Sequence, residues 1–180
     1  MQPRAASVEA EILASDASAT VARLQQADSQ ALFGFVRRLG LADDQADDAV
    51  QEVFLRLLGQ LQAGAPIVNA RAWAYRSIYR IAMDHHRFHR RIASLRLRLV
   101  DRGERVNTGS DMAESIAVWT EVDRLPTRQR HVIYLRYRSD LTFDEIGETI
   151  GISASAARSH ASQAMTRLRK RLDGYLEEQS

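Results

Sequence analysis

The stretch that most constrains this chain is residues 125–172, LPTRQRHVIYLRYRSDLTFDEIGETIGISASAARSHASQAMTRLRKRL. Thr142 and Glu145 are spaced as a capping box, which predicts a helix opening at Phe143. Phe143, Ile146 and Ile150 share one face of it, and Gly151 supplies the left-handed residue that ends it. Ser153 is placed to cap the next helix. There Ala157, Ala161, Ala164, Met165, Leu168 and Leu172 form an inward stripe, with Ser155, Ser159, Ser162, Gln163, Thr166 and Lys170 opposite. Arg158 and Arg169 border that outward face on one side; His160, Arg167 and Arg171 border it on the other. This is the pattern of a helix-turn-helix. Short hydroxyls and amides suit base edges in a major groove, and arginines suit phosphates or guanine. For this segment alone, the solvated face of a small helical bundle is the alternative.

The rest of the chain decides between them. Its 180 residues, 45% apolar, hold one ordinary domain or two small ones. A polar linker between two periodic regions favours two. No cysteine is present, which excludes disulfides and thiolate metal sites. No apolar run approaches the ~20 residues that cross a bilayer, and the first residues lack the layout of a signal peptide. A cytoplasmic protein without membrane insertion is expected.

The net charge of +2 hides an uneven distribution. Asp43, Asp44, Asp47, Asp48 and Glu52 form an acidic block without a cation, whereas residues 71–105 and 158–171 are rich in arginine. An acidic block beside basic surfaces implies a protein partner as well as a polyanion.

In chain order, residues 1–20 read as a loosely ordered leader with at most a short helix around Val8 to Leu13. From Val21 the period turns helical through Leu24, Ala27, Ala31, Leu32, Phe35 and Leu39, and Gly40 stops it. Asp43 or Asp44 is placed to cap a second helix with the stripe Ala46, Val50, Val53, Phe54, Leu57, Leu58 and Leu61. Its other face presents Asp47, Asp48, Gln51, Glu52 and Arg56, and a plain solvated face is an equal reading of that helix taken alone.

A third helix is predicted from about Ala70 to Arg91. At ~100° per residue, Tyr75, Ile78, Tyr79, Ala82 and Met83 face inward, while Trp73, Arg76, Ser77, Arg80, Asp84, Arg87 and Arg91 face the other way. An aromatic ring among guanidinium groups suits unstacked nucleic acid, the ring stacking on a base and the cations holding the backbone. Trp73 folding back onto a neighbouring helix is the alternative. His85 and His89 have a spacing that can hold zinc, yet no third ligand is placed to complete a set, so His85, His86 and His89 read as polar or cationic surface and no metal is expected. Residues 92–109 lose their period and read as a flexible linker that is extended or only partly helical. Helices resume near Asp111 with Met112, Ile116, Trp119 and Val122 inward.

Three pieces now carry a resemblance. Asp48, Gln51, Glu52 and Phe54 make a D-x-x-Q-E-x-F pattern; residues 71–76, RAWAYR, make R-A-W-x-Y-R; and LPTRQRHVIYLRYRSDLTFDEIGETIGIS follows in the same order. The chain resembles an extracytoplasmic-function (ECF, group 4) sigma factor of the sigma-70 family over roughly residues 21–172. The resemblance implies an all-α fold of two small helical domains: sigma domain 2 over residues 21–92 and sigma domain 4 over residues 112–175, with residues 93–111 as a flexible linker. It implies a bacterial transcription initiation factor that is not an enzyme and needs no cofactor. Asp47, Asp48, Gln51 and Glu52 would bind the clamp helices of the largest subunit of core RNA polymerase. Trp73, Arg76, Arg80 and Arg87 would open the −10 element and hold its non-template strand. Ser155, Arg158, Ser159, Ser162 and Gln163 would read the −35 duplex, domain 4 would dock on the polymerase flap, and an anti-sigma factor is a candidate partner. His160 and Gln163 stand where the family commonly has basic residues, which implies weaker phosphate anchoring. Two further classes stay open: a plain regulator that reads duplex operators without polymerase, and a sigma-like protein that only sequesters a partner.

Overall fold

The computed structural model describes the backbone of residues 3–96 and 113–177, and the side chains of residues 14–89, 91 and 118–171. Its described residues form helices and turns with no strand: α1 Pro3–Arg38, α2 Asp43–Gln62, α3 Ala70–Arg96, α4 Ala113–Asp123, α5 Thr127–Tyr137, α6 Phe143–Ile150 and α7 Ala154–Glu177. The chain divides into two compact units, Met1–Val106 and Asn107–Ser180.

In the first unit α1, α2 and α3 all pack on one another. The core is the meeting of their apolar stripes: Leu32, Phe35 and Val36 from α1, Val53 and Leu57 from α2, and Ala74, Tyr75, Ile78 and Ala82 from α3, all fully buried. Tyr75 packs its ring against Phe35 at 5.6 Å between centroids. From Pro3 on, the leader expected over residues 1–20 is helical instead, because α1 runs unbroken from Pro3 to Arg38. Pro is at home in a first helical turn, and Ala17 carries the buried stripe of Val21 and Leu24 one turn further toward the N-terminus. A short, Ala-rich period at residue 17 hid that continuation.

Gly40 turns the chain after α1 with a positive φ of 97°. Neither Asp43 nor Asp44 caps α2. Ala42 takes the N-cap position, and its N–H donates to Gln45 Oε1 at 3.1 Å, so Gln45 makes half of a capping box from inside the helix. Asp43 and Asp44 lie in the first turn, where their charge meets the positive end of the helix dipole. Asn69 caps α3 through its side chain, which accepts from the Ala72 N–H at 3.1 Å. The third helix continues to Arg96, five residues past its expected end, since nothing from Ile92 to Arg96 breaks a helix. The first residues of the expected linker are therefore helical, and residues 97–111 of it lie outside the described residues.

In the second unit Val122, Leu125, Ile133, Ala164 and Leu168 form a buried cluster, with Trp119 and Met165 packed on it. Met112, Ile116 and Leu172, expected inward, lie outside the described side chains. The helix-turn-helix takes the geometry its residues dictate. Thr142 caps α6, its Oγ1 accepting from the Glu145 N–H at 3.2 Å while Glu145 Oε2 accepts from the Thr142 N–H at 2.8 Å. Gly151 ends α6 in the left-handed region, φ 70° and ψ 46°. Ser153 Oγ accepts from the Ala156 N–H at 3.1 Å and opens α7.

Candidate nucleic-acid interface

Three surfaces carry the candidate residues. On α2, Asp47, Asp48 and Gln51 are exposed and Glu52 is half-buried, paired with Arg56 one turn on. Leu55 joins them at 71% exposure. Positions 48, 51, 52 and 55 follow i, i+3, i+4, i+7 spacing, so an apolar side chain completes an acidic ridge. Sequence reading missed Leu55 because it lies off the buried stripe and was grouped with no charged neighbour. The spacing itself was the available signal.

On α3, Arg80 and Arg87 are exposed, while Trp73 and Arg76 are half-buried. Arg87 pairs with Asp84 at 2.8 Å, an exposed pair worth little to stability that leaves the guanidinium at the surface. Trp73 thus sits in the first turns of α3 on the side of Arg76 and Arg80, outside the fully buried row Ala74, Tyr75, Ile78. Tyr79 and Met83, expected inward, are half-buried at its edge. Phe88, exposed at 61%, adds a second ring next to Arg87.

The three histidines differ from one another. His86 is not simple polar surface: its Nε2 lies 2.6 Å from the Leu39 carbonyl, which only accepts, so Nε2 carries the proton and closes the end of α1. His85 and His89 face each other across one turn with their Nε2 atoms 3.0 Å apart. Partial burial, then the neighbouring His89 and His86, hold His85 below the usual imidazole range. Among the described residues no group of three or more His, Cys, Asp or Glu is arranged for a metal ion.

On α7, Ser155, Arg158, Ser159, Ser162 and Gln163 are all exposed along one face, with Ala157, Ala161 and Ala164 buried behind them. Arg158 stacks over the Phe143 ring at 5.8 Å, and Arg136 lies over the same ring at 5.4 Å. The cation–π contact holds Arg158 at the start of the helix with its charge unpaired by any carboxylate in that contact. Two arginines assigned to the border of this face are held elsewhere. Arg171 reaches Glu121 at 3.4 Å and Arg167 reaches Gln129 Oε1 at 3.2 Å, so both tie α7 to the helices behind it. Glu121 is buried and pairs with Arg124 as well as with Arg171, whose side chain stays partly exposed. Gln129, buried at 4% exposure, bonds Gln163 from the same side at 3.1 Å. Neither Glu121 nor Gln129 was legible as part of this surface.

No helix among the described residues is long and apolar enough to cross a membrane. Two family models match the chain where these surfaces lie: Sigma-70 region 2 over residues 24–92 and Sigma-70, region 4 over residues 122–170. The RNA polymerase sigma factor SigV of Bacillus subtilis (strain 168) is 26% identical over 130 residues, which is 72% of this chain and 76% of that protein. The structure of CnrH in complex with the cytosolic domain of CnrY matches with a TM-score of 0.59 at 26% identity, over 91% of this chain and 96% of that one. The sigma factor RpoE of Bartonella quintana, solved with the anti-sigma factor NepR, shares the fold at 18% identity and a TM-score of 0.65, over 84% of this chain and 95% of that one. The chain belongs to the sigma-70 family of transcription initiation factors. The partners of that family are RNA polymerase and promoter DNA.

Proposed function

We propose that this chain is the promoter-recognition subunit of a bacterial RNA polymerase, acting in the cytoplasm. The observation that carries the reading is the pair of unlike surfaces on adjacent helices of one small unit: an acidic ridge on α2 with Leu55 exposed within it, and a Trp–Arg face on α3. A duplex reader needs neither. Residues 21–92 act as sigma domain 2. Asp47, Asp48, Gln51 and Glu52, with Leu55 as an apolar anchor, bind the clamp helices of the largest core subunit; charge complementarity sets the approach and the apolar contact adds affinity. Trp73, Arg76, Arg80 and Arg87 hold the non-template strand of the −10 element. Base–aromatic stacking, ~1–3 kcal/mol per base, is comparable with the ~1.4 kcal/mol mean of a duplex stacking step, so a few such contacts offset the opening of a short bubble.

Residues 112–175 act as sigma domain 4. The exposed face of α7 enters the −35 major groove, with Ser155, Ser159, Ser162 and Gln163 toward base edges and Arg158 toward phosphate or guanine, and the unit docks on the polymerase flap. Residues 93–111 join the two. The nucleotidyl transfer belongs to the polymerase, and no residue here takes a catalytic part. An anti-sigma factor, of the kind that accompanies RpoE in its solved complex, is a candidate third partner.

Reconstitution with core polymerase tests this. Full-length protein is expected to associate with core in the absence of DNA and to support run-off transcription from genomic promoters selected by the holoenzyme. Glu52→Arg is expected to lose core association while its circular dichroism stays unchanged. Failure of the wild-type chain to bind core without DNA would favour a duplex-binding regulator. Core binding with no run-off product from any selected promoter would favour a sequestering role.

A further inference from the structure

The outward face of α7 is not chemically free, because one of its base-facing side chains is held from behind. Arg167 Nη1 donates to Gln129 Oε1 at 3.2 Å, Gln129 Nε2 donates to Gln163 Oε1 at 3.1 Å, and Gln163 Nε2 donates to Ser159 Oγ at 3.3 Å. The polarity of this relay is fixed at one end. A guanidinium has donors and no acceptor, so the Gln129 atom that meets Arg167 must be its oxygen. The Gln129 nitrogen then faces Gln163, and only the Gln163 oxygen can meet it without opposing two donors. The Gln163 nitrogen is left on the far side. Gln129 is 4% exposed, so its amide has no water to turn toward, and reversing it would leave buried groups unpaired. Gln163 itself is exposed and would otherwise sample both orientations.

We infer that Gln129, which lies on α5 outside the recognition helix, fixes Gln163 as a hydrogen-bond donor toward DNA, so that this position reads a base edge offering acceptors only. The inference rests on the −35 reading proposed above and deepens it. A glutamine reads adenine by presenting its oxygen and its nitrogen together to N6 and N7. Here the oxygen is engaged by Gln129, and what remains for the groove is the second hydrogen on Gln163 Nε2, beside the hydroxyl hydrogen of Ser159, whose oxygen already accepts. Guanine, with N7 and O6, fits two neighbouring donors; thymine O4 fits one; adenine N6 and cytosine N4 are themselves donors and oppose them. The tether also lowers the ordering cost of Gln163 on binding. Gln129 is thus a positioning residue, and the base preference at one −35 position is its readout.

The test is selection from a library randomised across the −35 element, using holoenzyme assembled from the full-length chain and core polymerase. Gln163→Ala identifies the position that Gln163 reads, as the one where preference is lost. At that position the wild type is expected to favour guanine or thymine by roughly tenfold over adenine and cytosine, within the range for base-edge discrimination. In Gln129→Glu the carboxylate has no hydrogen for Gln163 Oε1 and accepts from both Arg167 and Gln163 Nε2. The Gln163 oxygen then turns outward, and preference at that position moves to adenine or cytosine while the other positions keep theirs. A general loosening of the fold would blur every position alike. Gln163→Glu, on an exposed position that tolerates the change, presents an acceptor without altering the buried relay and is expected to shift in the same direction. A wild-type preference for adenine or cytosine, or an unchanged preference in folded Gln129→Glu or in Gln163→Glu, overturns the inference alone. A wild-type holoenzyme that selects no −35 sequence overturns the promoter reading, and the inference falls with it.

Discussion

Arg71 Nε lies 2.9 Å from Asp28 Oδ2, joining the first turn of α3 to the middle of α1 across 43 positions of sequence. The two ends of this ion pair differ in burial: the Asp28 side chain is 5% exposed and that of Arg71 39%. Arg71 belongs to the R-A-W-x-Y-R pattern, yet its partner is a carboxylate of its own unit. The difference in burial sets an unequal response to mutation. Arg71→Met leaves a buried carboxylate uncompensated and is expected to cost roughly 2–3 kcal/mol, below the full cost for a buried pair because Arg71 is partly solvated. Asp28→Asn keeps an acceptor for the Arg71 N–H, and Arg71 can turn to water, so its cost is about 1 kcal/mol. Chemical denaturation of the full chain, followed in the first transition that either variant moves, should rank Arg71→Met as the more destabilised. The reverse order would show that Asp28 matters through some other contact.

Gly147 and Ile152 define how tightly the helix-turn-helix closes. A Cβ on Gly147 would lie 2.7 Å from the Ile152 backbone oxygen and 3.3 Å from the Ala154 nitrogen. Both neighbours are backbone and cannot move aside as a side-chain tip would. At an open helix position a Gly→Ala change stabilises by up to about 1 kcal/mol, but Gly147 is buried. Here it should instead destabilise by roughly 1–3 kcal/mol, as overpacking does, and splay α6 from α7. Thermal unfolding should show the loss, and binding of a −35 duplex should weaken with it. A stabilised variant would mean that the turn relaxes without cost.

The reading of α6 and α7 succeeded because local rules govern them. The Thr142–Glu145 box, Gly151 and Ser153 act within four residues, and each formed the bonds its chemistry requires. The full extent of α1 was not legible because Ala17, which carries the stripe back beyond Val21, is a small residue whose burial depends on the partner helices. The caps of α2 show a nearer failure: two aspartates looked like the only candidates, yet Gln45 reaches back from inside the helix to the Ala42 N–H. On the candidate surfaces, exposed residues placed by helical period lie where the period puts them. What escaped was everything set by contacts distant in sequence: Arg167 and Arg171 bonded to Gln129 and Glu121, 38 and 50 positions away, and His86 reaching Leu39 across 47. Period assigns a side chain to a face and says nothing of which partner that face meets.

Trp73 separates strand opening from core binding. It is half-buried on the side of Arg76 and Arg80 while the fully buried row runs through Ala74, Tyr75 and Ile78. Trp73→Ala should therefore leave the acidic ridge of α2 and its affinity for core unchanged. Loss of one stack, ~1–3 kcal/mol, should lower the open-complex population by roughly tenfold, read as permanganate reactivity of thymines in the bubble. Normal reactivity in the variant would place Trp73 among structural residues instead.

His131 makes the second unit sensitive to acid. Its side chain is buried in α5, and burial, followed by the charges of Arg130 and Arg128, pushes its pKa down from 6.5 to about 4. The folded unit thus holds His131 neutral in a range where the unfolded chain takes up a proton. Above about pH 6.5 both states are neutral and the residue contributes no pH dependence. As pH falls from there toward about 4 the unfolded state binds more protons, and stability is lost across that window. The linkage amounts to about 2 kcal/mol at pH 5, on the order of 1.4 kcal/mol per pKa unit. Acid acts on the rest of the chain as well, so the informative quantity is a difference between two proteins. His131→Leu, of similar volume and without a titrating group, should lose less stability than the wild type between pH 7 and pH 5, by roughly 10 °C in the midpoint of the transition assigned to this unit. Parallel pH profiles for the two proteins would mean that His131 is protonated in the folded state, with its charge accommodated by a partner strong enough to outweigh two adjacent arginines.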